Sequence, residues 1–316
     1  MLARTSFGAR LISALFTVWA VSGRVATCES GVQLQREEHD HDPMHHLRNF
    51  PALKLDDDVG DSNPSAAREE ESDVIAFYYL WYGNPETDGR YMHWNHSVLP
   101  HWTAAVNERY PNVGKPHEPP GRIHAKFYPA RGCYSVADPA TLDAQMTELH
   151  RAGVGTVVLS WWGRPGLSAG DSQGVVTDDK IAGVLRAAAA AGVFVAWHME
   201  PYEGRSAASF REDVRYLNAR YGDHPALLRR IQPSSRGAVK TRSPAGPVYF
   251  VYDSYHIPPA DWAAVLRPPD SSASSSLSIR GTIDDGTFIG LWLDASHGSD
   301  LATGCFDGAY TCAHQI

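Results

Sequence analysis

Short runs rich in β-branched and aromatic residues alternate with helical patterns in the part of the chain that follows residue 73. The six runs lie at 74–82, 154–162, 193–200, 247–253, 287–293 and 308–312. Strands that alternate with helices are typical of βα units, in which the crossovers bring the strands side by side in a parallel sheet. The pattern therefore predicts six parallel strands in an α/β fold.

Four helices between these strands are predicted from their ends and their apolar faces. The first begins at Asp138 and Pro139, an N-cap followed by proline at the first helical position, and it ends before Gly153. The second follows Asp178 and Asp179, the third ends near Gly222, and the fourth follows Pro258 and Pro259. Their apolar stripes are interpreted as core packing and consist of Leu142, Met146 and Leu149; Ile181, Val184 and Leu185; Phe210, Val214 and Leu217; and Trp262, Val265 and Leu266.

The order of the elements favours a (β/α)8 TIM-like barrel that is incomplete at its C-terminal end, with about six of the usual eight strands. A doubly wound sheet is the alternative. Polar and aromatic residues gather where the predicted strands end, and barrel enzymes carry their sites on the loops that leave each strand, which favours the barrel. Two absent strands leave sheet edges unpaired, so we expect this chain alone to be poorly stable.

The chain before residue 74 has a different character. Arg4 and Arg10 precede an apolar stretch at 11–21 and small residues follow it, which is the order of a secretory signal. The stretch is shorter than the about 20 residues that span a bilayer, and residues 1–27 are predicted to be a signal peptide or a signal-anchor. Residues 28–73 are polar and acidic, which predicts a disordered stalk. Residues 74–316 form the predicted partial barrel domain.

Composition and charge narrow the possible partners. The 28 Lys and Arg against 36 Asp and Glu give a net charge of −8, which excludes a nucleic-acid binder that relies on overall basicity. Four stalk histidines, at 39, 41, 45 and 46, belong to a low-complexity tract, and no metal site is assigned there. The four cysteines are not all expected to pair within the barrel domain. Cys28 lies at the leader boundary. The other three, Cys133, Cys305 and Cys312, are odd in number, so at least one is expected to lack an intradomain partner.

Aromatic residues and carboxylates follow the predicted strands. Sugar rings offer C–H faces for stacking and hydroxyls for charged acceptors, so this pattern is typical of carbohydrate sites in hydrolases and in lectins. Glycoside hydrolysis normally uses two carboxylates, and Glu200 and Asp253 are the best pair because each ends an apolar strand. The pattern also fits carboxylates that accept only backbone hydrogen bonds, or that hold sugar hydroxyls without transferring a proton.

Seven sequence blocks together resemble the endo-alpha-1,2-mannosidase family, glycoside hydrolase family 99, and they occur in that family's order. They are AFYYLWYGNP at 76–85, HWNH at 93–96, LSWW at 159–162, HMEPY at 198–202, YGDHP at 221–225, YDSY at 252–255 and FDGAY at 306–310. The resemblance covers about residues 74–310. The combination is far more specific than any single block.

The resemblance implies a retaining (β/α)8 hydrolase that cuts inside glucosylated high-mannose N-glycans in the Golgi and needs no metal or other cofactor. The expected partner is a high-mannose N-glycan or a smaller mannoside. The residues that the resemblance places against substrate are Tyr79, Trp161, Glu200 and Tyr310, with Tyr78, Asp253, Tyr255 and His256 as further candidates. Glu200 thereby changes from a predicted catalyst to a predicted substrate ligand.

One block of that family has no counterpart here. The family's acid and base are two glutamates in a Glu-Trp-x-Glu motif beyond the sixth strand, and no glutamate follows Tyr310 before Ile316. No catalytic residue is therefore assigned, and we expect this chain to be inactive as it stands. The alternatives are a noncatalytic, lectin-like sugar-binding barrel and a secreted structural barrel.

The leader and the resemblance together predict a secretory location. The expected place is the Golgi lumen or the Golgi membrane, with possible attachment through the N-terminal apolar segment, and the protein is secreted if the leader is cleaved. Asn95-His96-Ser97 is an acceptor triplet for N-glycosylation.

Overall fold

The structure is a computed structural model that describes residues 18–19, 74–100, 104–109, 112–166, 170–171, 173–230, 246–269 and 275–311. The predicted stalk with its four histidines, most of the predicted leader, Cys28 and Cys312 lie outside these residues. Within them, Cys133 is a free thiol.

A curved sheet of parallel strands is the framework of the fold. Its six parallel strands are β2 (Ile75–Tyr78), β3 (Thr156–Trp161), β4 (Phe194–Met199), β6 (Gly246–Val251), β7 (Thr287–Leu291) and β8 (Gly308–Tyr310), each paired with the next. Two short strands pair antiparallel with them: β1 (Val18–Trp19) with β2, and β5 (Arg229–Arg230) with β6. Because the parallel strands follow one another in chain order without a reversal, the sheet is an incomplete (β/α)8 barrel and not a doubly wound sheet.

Helices connect the parallel strands. They are α1 (Pro85–Asp88), α2 (Ala104–Asn107), α3 (Pro139–Arg151), α4 (Ile181–Ala191), α5 (Ala207–Tyr221), α6 (Pro259–Leu266) and α7 (His297–Thr303), with 3₁₀ turns at Asp178–Lys180 and Ser254–His256. The four predicted helices are confirmed as α3 to α6. In the ranges that the structure describes, no helix has the length and apolar character needed to cross a bilayer.

Local capping explains where these helices begin and end. The carboxylate of Asp138 accepts hydrogen bonds from the backbone amides of Ala140 and Thr141, both at 3.1 Å, which fixes the start of α3. Gly192 ends α4 in the left-handed conformation, with φ of 75°, which costs glycine little. Ser206 and Ser209 form a reciprocal capping box at the start of α5.

Side chains alternate between two faces of the curved sheet. The inner face carries residues that pair across neighbouring strands, namely Phe77, Val158, Ala196, Phe250 and Ile289. The outer face packs against the helices and carries Tyr78, Leu159, Trp197, Tyr249 and Phe288, among others. Successive residues on one strand therefore belong to different cores, as the two-residue period of a strand requires.

Arg280 holds together the amino-terminal ends of the last two strands. Its buried guanidinium donates to the backbone carbonyls of Leu266 and Gly286, each at 2.9 Å, and to the carboxylate of Asp307 at 2.9 Å. Asp307 in turn accepts the backbone amide of Phe288 at 2.7 Å. The aspartate of the FDGAY block thus stabilises the fold at the end of the sheet opposite to Tyr310.

Candidate functional site

The inner face of the sheet ends, at the carboxyl ends of the strands, in a group of polar and aromatic side chains. We call this group the strand-end cluster; it consists of Ser160, Trp162, His198, Glu200, Tyr252 and Tyr310. The first four follow the inner core residues Val158 and Ala196 at intervals of two, so the alternation of the strands directs them to the inner face. This is where barrel proteins carry their sites.

Glu200 is at the centre of the strand-end cluster. Its Oε1 atom accepts two hydrogen bonds, from Ser160 Oγ at 2.7 Å and from His198 Nδ1 at 2.8 Å. Its backbone amide donates to the carbonyl of Trp161 at 3.0 Å. Because the residue is 4% exposed and is held from two strands, its carboxylate has a fixed position at the mouth of the site.

His198 connects Glu200 to the last strand. Its Nε2 atom lies 3.0 Å from the hydroxyl of Tyr310, and its ring lies edge-on to Phe77 at 4.6 Å and tilted to Tyr252 at 5.2 Å between centroids. Trp162 joins the same network, since its Nε1 donates to Ser160 Oγ at 3.2 Å. One hydrogen-bond network therefore crosses β3, β4 and β8.

A stack of aromatic rings lies beside the strand-end cluster. Tyr79 stacks on Trp81 and Trp81 stacks on His93, both at 4.3 Å between centroids, and Trp81 lies 6.5 Å from Trp162. His93 adopts a positive φ of 58°, which is unusual for a residue other than glycine. The loop after β2 thus bends to place an imidazole on the aromatic stack.

A buried hydrogen bond to Asp171 keeps His93 in that place. His93 Nε2 and Asp171 Oδ2 are 2.6 Å apart, and the other carboxylate oxygen of Asp171 accepts the backbone amides of Gln173 and Val175. Burial alone raises the pKa of Asp171, but these hydrogen bonds outweigh burial and hold the pKa below its usual value. The pair joins the loop after β3 to the loop after β2.

Arg205 lies between the strand-end cluster and the loop after β6. Its guanidinium donates to the carbonyl of Met199 at 3.0 Å and to the carbonyl of Asp253 at 2.9 Å. Burial lowers the pKa of Arg205, while the negative charges of Asp253 and Glu200 act in the opposite direction. Arg205 therefore brings a positive charge close to Glu200 and fixes the ends of two strands.

Asp253 has a different environment from Glu200. It adopts a left-handed conformation with φ of 47°, and its carboxylate accepts the hydroxyl of Tyr255 at 2.8 Å and lies 3.7 Å from His256 Nε2. The ring of Tyr255, which is 38% exposed, stacks on His297 at 4.6 Å between centroids. The partial burial of its hydroxyl, and then the hydrogen bond to Asp253, raise the pKa of Tyr255 to about 12. Asp253, Tyr255 and His256 therefore form a separate group on the rim, and the described contacts do not join them to Glu200 as an acid and base pair.

Trp161 and Tyr78 lie on the outer face of the sheet. Trp161 is 0% exposed, and its Nε1 donates to Asp178 Oδ1 at 3.0 Å beneath α5. The hydroxyl of Tyr78 donates to Gln145 in α3, and burial raises its pKa well above the usual value. The predicted contacts of these two residues with substrate are therefore not supported, because the strand alternation turns both side chains toward the helices.

Sequence reasoning left several members of the site unassigned. Ser160, Trp162, His198 and Tyr252 received no site role, although each is inward-facing by the same two-residue spacing that leads to Glu200. Counting back from Glu200 by two reaches His198, so the signal was present in the pattern. His93 and Asp171 carried no such signal, because their contact depends on two loops meeting.

Three more histidines continue from His93 along the loop after β2. The ring of His124 lies 4.8 Å from that of His96 and 5.1 Å from that of His117. Burial, and then the charges of His96, His117 and His93, lower the pKa of His124 to about 4. Within the described ranges, no group of three or more His, Cys, Asp or Glu side chains has an arrangement that could hold a metal ion.

The fold and the strand-end cluster define a barrel protein of the (β/α) class with a carboxylate and aromatic rings at the mouth of its sheet. A profile of glycosyl hydrolase family 99 matches residues 70–315. The chain belongs to glycosyl hydrolase family 99. This confirms the family resemblance carried by the seven sequence blocks.

Individual relatives agree with the family assignment. The chain is 41% identical to glycoprotein endo-alpha-1,2-mannosidase of Xenopus laevis over 239 residues, which are 76% of this chain and 49% of that protein. It is 39% identical to the Rattus norvegicus protein of the same name, over 75% of this chain and 48% of that protein. The chain thus spans about half the length of the curated relatives it matches.

A solved structure agrees in fold as well as in sequence. The family 99 endo-alpha-mannosidase from Bacteroides thetaiotaomicron matches with a TM-score of 0.58 and 34% identity. The match covers 74% of this chain and 60% of that chain. The likeness supports the incomplete-barrel architecture described above.

The two adjacent tryptophans of β3 allow a direct test of the alternation. Trp161→Phe removes the donor to the buried Asp178, and we expect the free energy of unfolding to fall by about 2 kcal/mol in urea titrations. Trp162→Phe removes one hydrogen bond of a half-buried indole, and we expect the free energy of unfolding to fall by under about 1 kcal/mol. Equal losses, or a larger loss for Trp162→Phe, contradict the assignment of the two faces.

The lowered pKa of His124 predicts a pH-dependent stability. Between about pH 6.5 and about pH 4 the unfolded chain binds a proton that folded His124 does not bind, so the free energy of unfolding falls as the pH falls through this window. His124→Gln is expected to flatten this slope in urea titrations at pH 7.0, 5.5 and 4.5. The exposed His150 provides the control, His150→Gln, and a His124→Gln slope as steep as that of the control disproves the expectation.

Proposed function

We propose that this chain carries the substrate-binding part of an endo-alpha-mannosidase site and binds mannosides of glycoprotein N-glycans. The observation that carries the proposal is the fixed carboxylate of Glu200 beside accessible aromatic rings. A carboxylate accepts hydrogen bonds from sugar hydroxyls, and the rings of Tyr79, Trp81 and Trp162 offer flat surfaces to the C–H faces of a sugar.

The strand-end cluster is suited to binding more than to bond cleavage. Acid–base cleavage of a glycoside normally needs two carboxyl groups, about 5 Å apart for retention. Glu200 is the one carboxylate in the cluster, and Asp253 hydrogen-bonds Tyr255 on the rim. We therefore infer that the strand-end cluster supplies substrate contacts and not the acid and base pair; a chain that binds mannosides without hydrolysing them is the lectin-like alternative. Retaining hydrolysis needs the pair of glutamates that the family resemblance places beyond the sixth strand.

The geometry supports the other proposed substrate contacts to different degrees. Tyr310 belongs to the strand-end cluster, where its hydroxyl lies 3.0 Å from His198 Nε2, and Tyr79 belongs to the aromatic stack, so both keep their proposed roles. Tyr255, His256 and Asp253 are proposed as an outer contact on the rim, supported by the exposed ring of Tyr255, which is 38% accessible. No nucleic-acid partner and no metal or other cofactor are proposed.

A secretory location belongs to the same proposal. Residues 1–27 act as a signal peptide or signal-anchor, residues 28–73 as a stalk, and residues 74–316 as the barrel domain. The protein then lies in the Golgi lumen or on the Golgi membrane, or outside the cell if the leader is cleaved. The support is the order of charges and apolar residues in the leader. Relatives named as glycoprotein mannosidases are compatible with it.

Binding of a mannoside tests the proposed function. We expect alpha-1,2-mannobiose and a glucosylated high-mannose glycan to bind in isothermal titration calorimetry. Glu200→Gln should weaken binding about tenfold or more, because a hydrogen bond to a charged group is worth about 1.5–3 kcal/mol. The exposed Glu203 supplies the matched control, Glu203→Gln. Absence of binding rejects the proposal, and release of a disaccharide rejects the lectin-like alternative.

N-glycosylation of Asn95 tests the proposed secretory location. This residue is exposed at a turn, and Asn95-His96-Ser97 is the one usable acceptor triplet of the chain, because proline interrupts the triplet at Asn63. Expression through the secretory pathway is expected to add a glycan that peptide N-glycosidase removes. Asn95→Gln and Ser97→Ala should both abolish this mass shift; an unmodified wild-type chain in the secretory lumen contradicts the assignment.

A further inference from the structure

The hydrogen bonds around Glu200 have a defined direction. The indole nitrogen of Trp162 can only donate, so Ser160 Oγ accepts from it and gives its own proton to Glu200 Oε1. A carboxylate can only accept, so His198 Nδ1 must carry a proton to form its 2.8 Å hydrogen bond with the same oxygen. Both donors therefore point at a single atom, Glu200 Oε1.

This requirement fixes the tautomer of His198. In the neutral ring a proton on Nδ1 leaves a lone pair on Nε2, so the hydroxyl of Tyr310 must be the donor across their 3.0 Å separation. The opposite tautomer faces a lone pair on Nδ1 toward the carboxylate oxygen, which is repulsive. The carboxylate of Glu200 also interacts electrostatically with the nearby guanidinium of Arg205.

The second oxygen of Glu200 is then the one that meets a ligand. Oε1 is occupied by two donors, whereas Oε2 accepts no hydrogen bond from the residues that the structure describes. We propose that His198 is a positioning residue: held as the Nδ1–H tautomer between Glu200 and Tyr310, it keeps Glu200 Oε2 as an obligate hydrogen-bond acceptor for a ligand hydroxyl. The ligand part of this proposal rests on the proposed mannoside-binding function.

The free oxygen of Glu200 determines which ligands the site accepts. A site that presents only an acceptor at Oε2 selects ligands that place a hydroxyl donor there. Replacing that hydroxyl by fluorine keeps the size and polarity nearly unchanged but removes the proton. The site therefore discriminates a hydroxyl from a fluorine at the contacted position, and His198 is the residue that maintains this discrimination.

The tautomer of His198 can be measured without a ligand. ¹⁵N NMR of the full chain at pH 7.5, with the His198 signals assigned by their loss in His198→Gln, is expected to show a protonated Nδ1 and an unprotonated Nε2. Tyr310→Phe removes the donor to Nε2 and should shift that nitrogen resonance while Nδ1 stays protonated. An Nε2–H tautomer, or a doubly protonated ring, overturns the proposal.

Ligand selectivity provides a readout that a purely structural role does not change. The probes are methyl alpha-mannoside and its monodeoxyfluoro derivatives, and one derivative is expected to bind wild type at least tenfold more weakly than the parent. His198→Asn can still place an amide donor where Nδ1 lies in wild type. Its ratio of parent affinity to derivative affinity should therefore stay within threefold of the wild-type ratio. His198→Phe keeps a ring between Phe77 and Tyr252 but has no donor, and its ratio should fall below threefold.

The outcomes separate the two proposals. Thermal unfolding of both variants shows whether they fold; if His198→Phe does not fold, the wild-type NMR result decides. A folded His198→Phe that discriminates fluorine as wild type does overturns the role of His198. If wild type binds none of the mannosides, the proposed function fails, whereas the tautomer measured by NMR still confirms or rejects the position of His198.

Discussion

The two-residue period of the parallel strands is the constraint on which the site depends. On β3 and β4 every second side chain enters the inner face, so Ser160, His198 and the residues that follow them at intervals of two meet at one mouth. The intervening side chains, such as Trp161, pack under the helices and stabilise the sheet. A shift of one residue in register would turn the site side chains toward the helices and the outer core side chains toward the inner face.

The hydrogen bonds that Glu200 accepts allow its buried carboxylate to take part in ligand binding. Glu200 is buried, and a buried carboxylate without partners is costly. Ser160 and His198 occupy one of its oxygens, while Trp162 and Tyr310 extend the network to β3 and β8. The same contacts that stabilise the carboxylate therefore also direct its remaining oxygen, so stability and recognition have a common physical origin.

Much of the fold could be predicted from the sequence, because its signals are local. The N-cap at Asp138, the glycine stop at Gly192 and the apolar stripes predicted α3 to α6, and alternation with β-rich runs predicted the six parallel strands of an incomplete barrel. The helix α7 escaped prediction because Leu301 is its one buried residue. The motif resemblance identified the family correctly, yet it placed Trp161 against substrate without regard to the face that this residue occupies. Tyr78, a further candidate, lies on the same outer face. The stack of His93 on Trp81 could not be predicted, since it needs a loop whose bend is fixed by Asp171, 78 residues further along the chain.

A crystal structure of this chain with alpha-1,2-mannobiose would show directly whether Glu200 binds a sugar hydroxyl. We expect a sugar on the inner side of the sheet, with one hydroxyl within about 3 Å of Glu200 Oε2, a ring against the Tyr79, Trp81 and Trp162 surface, and Trp161 untouched beneath α5. A sugar bound to the rim around Tyr255 with Glu200 unoccupied, or one in contact with Trp161, would contradict this expectation.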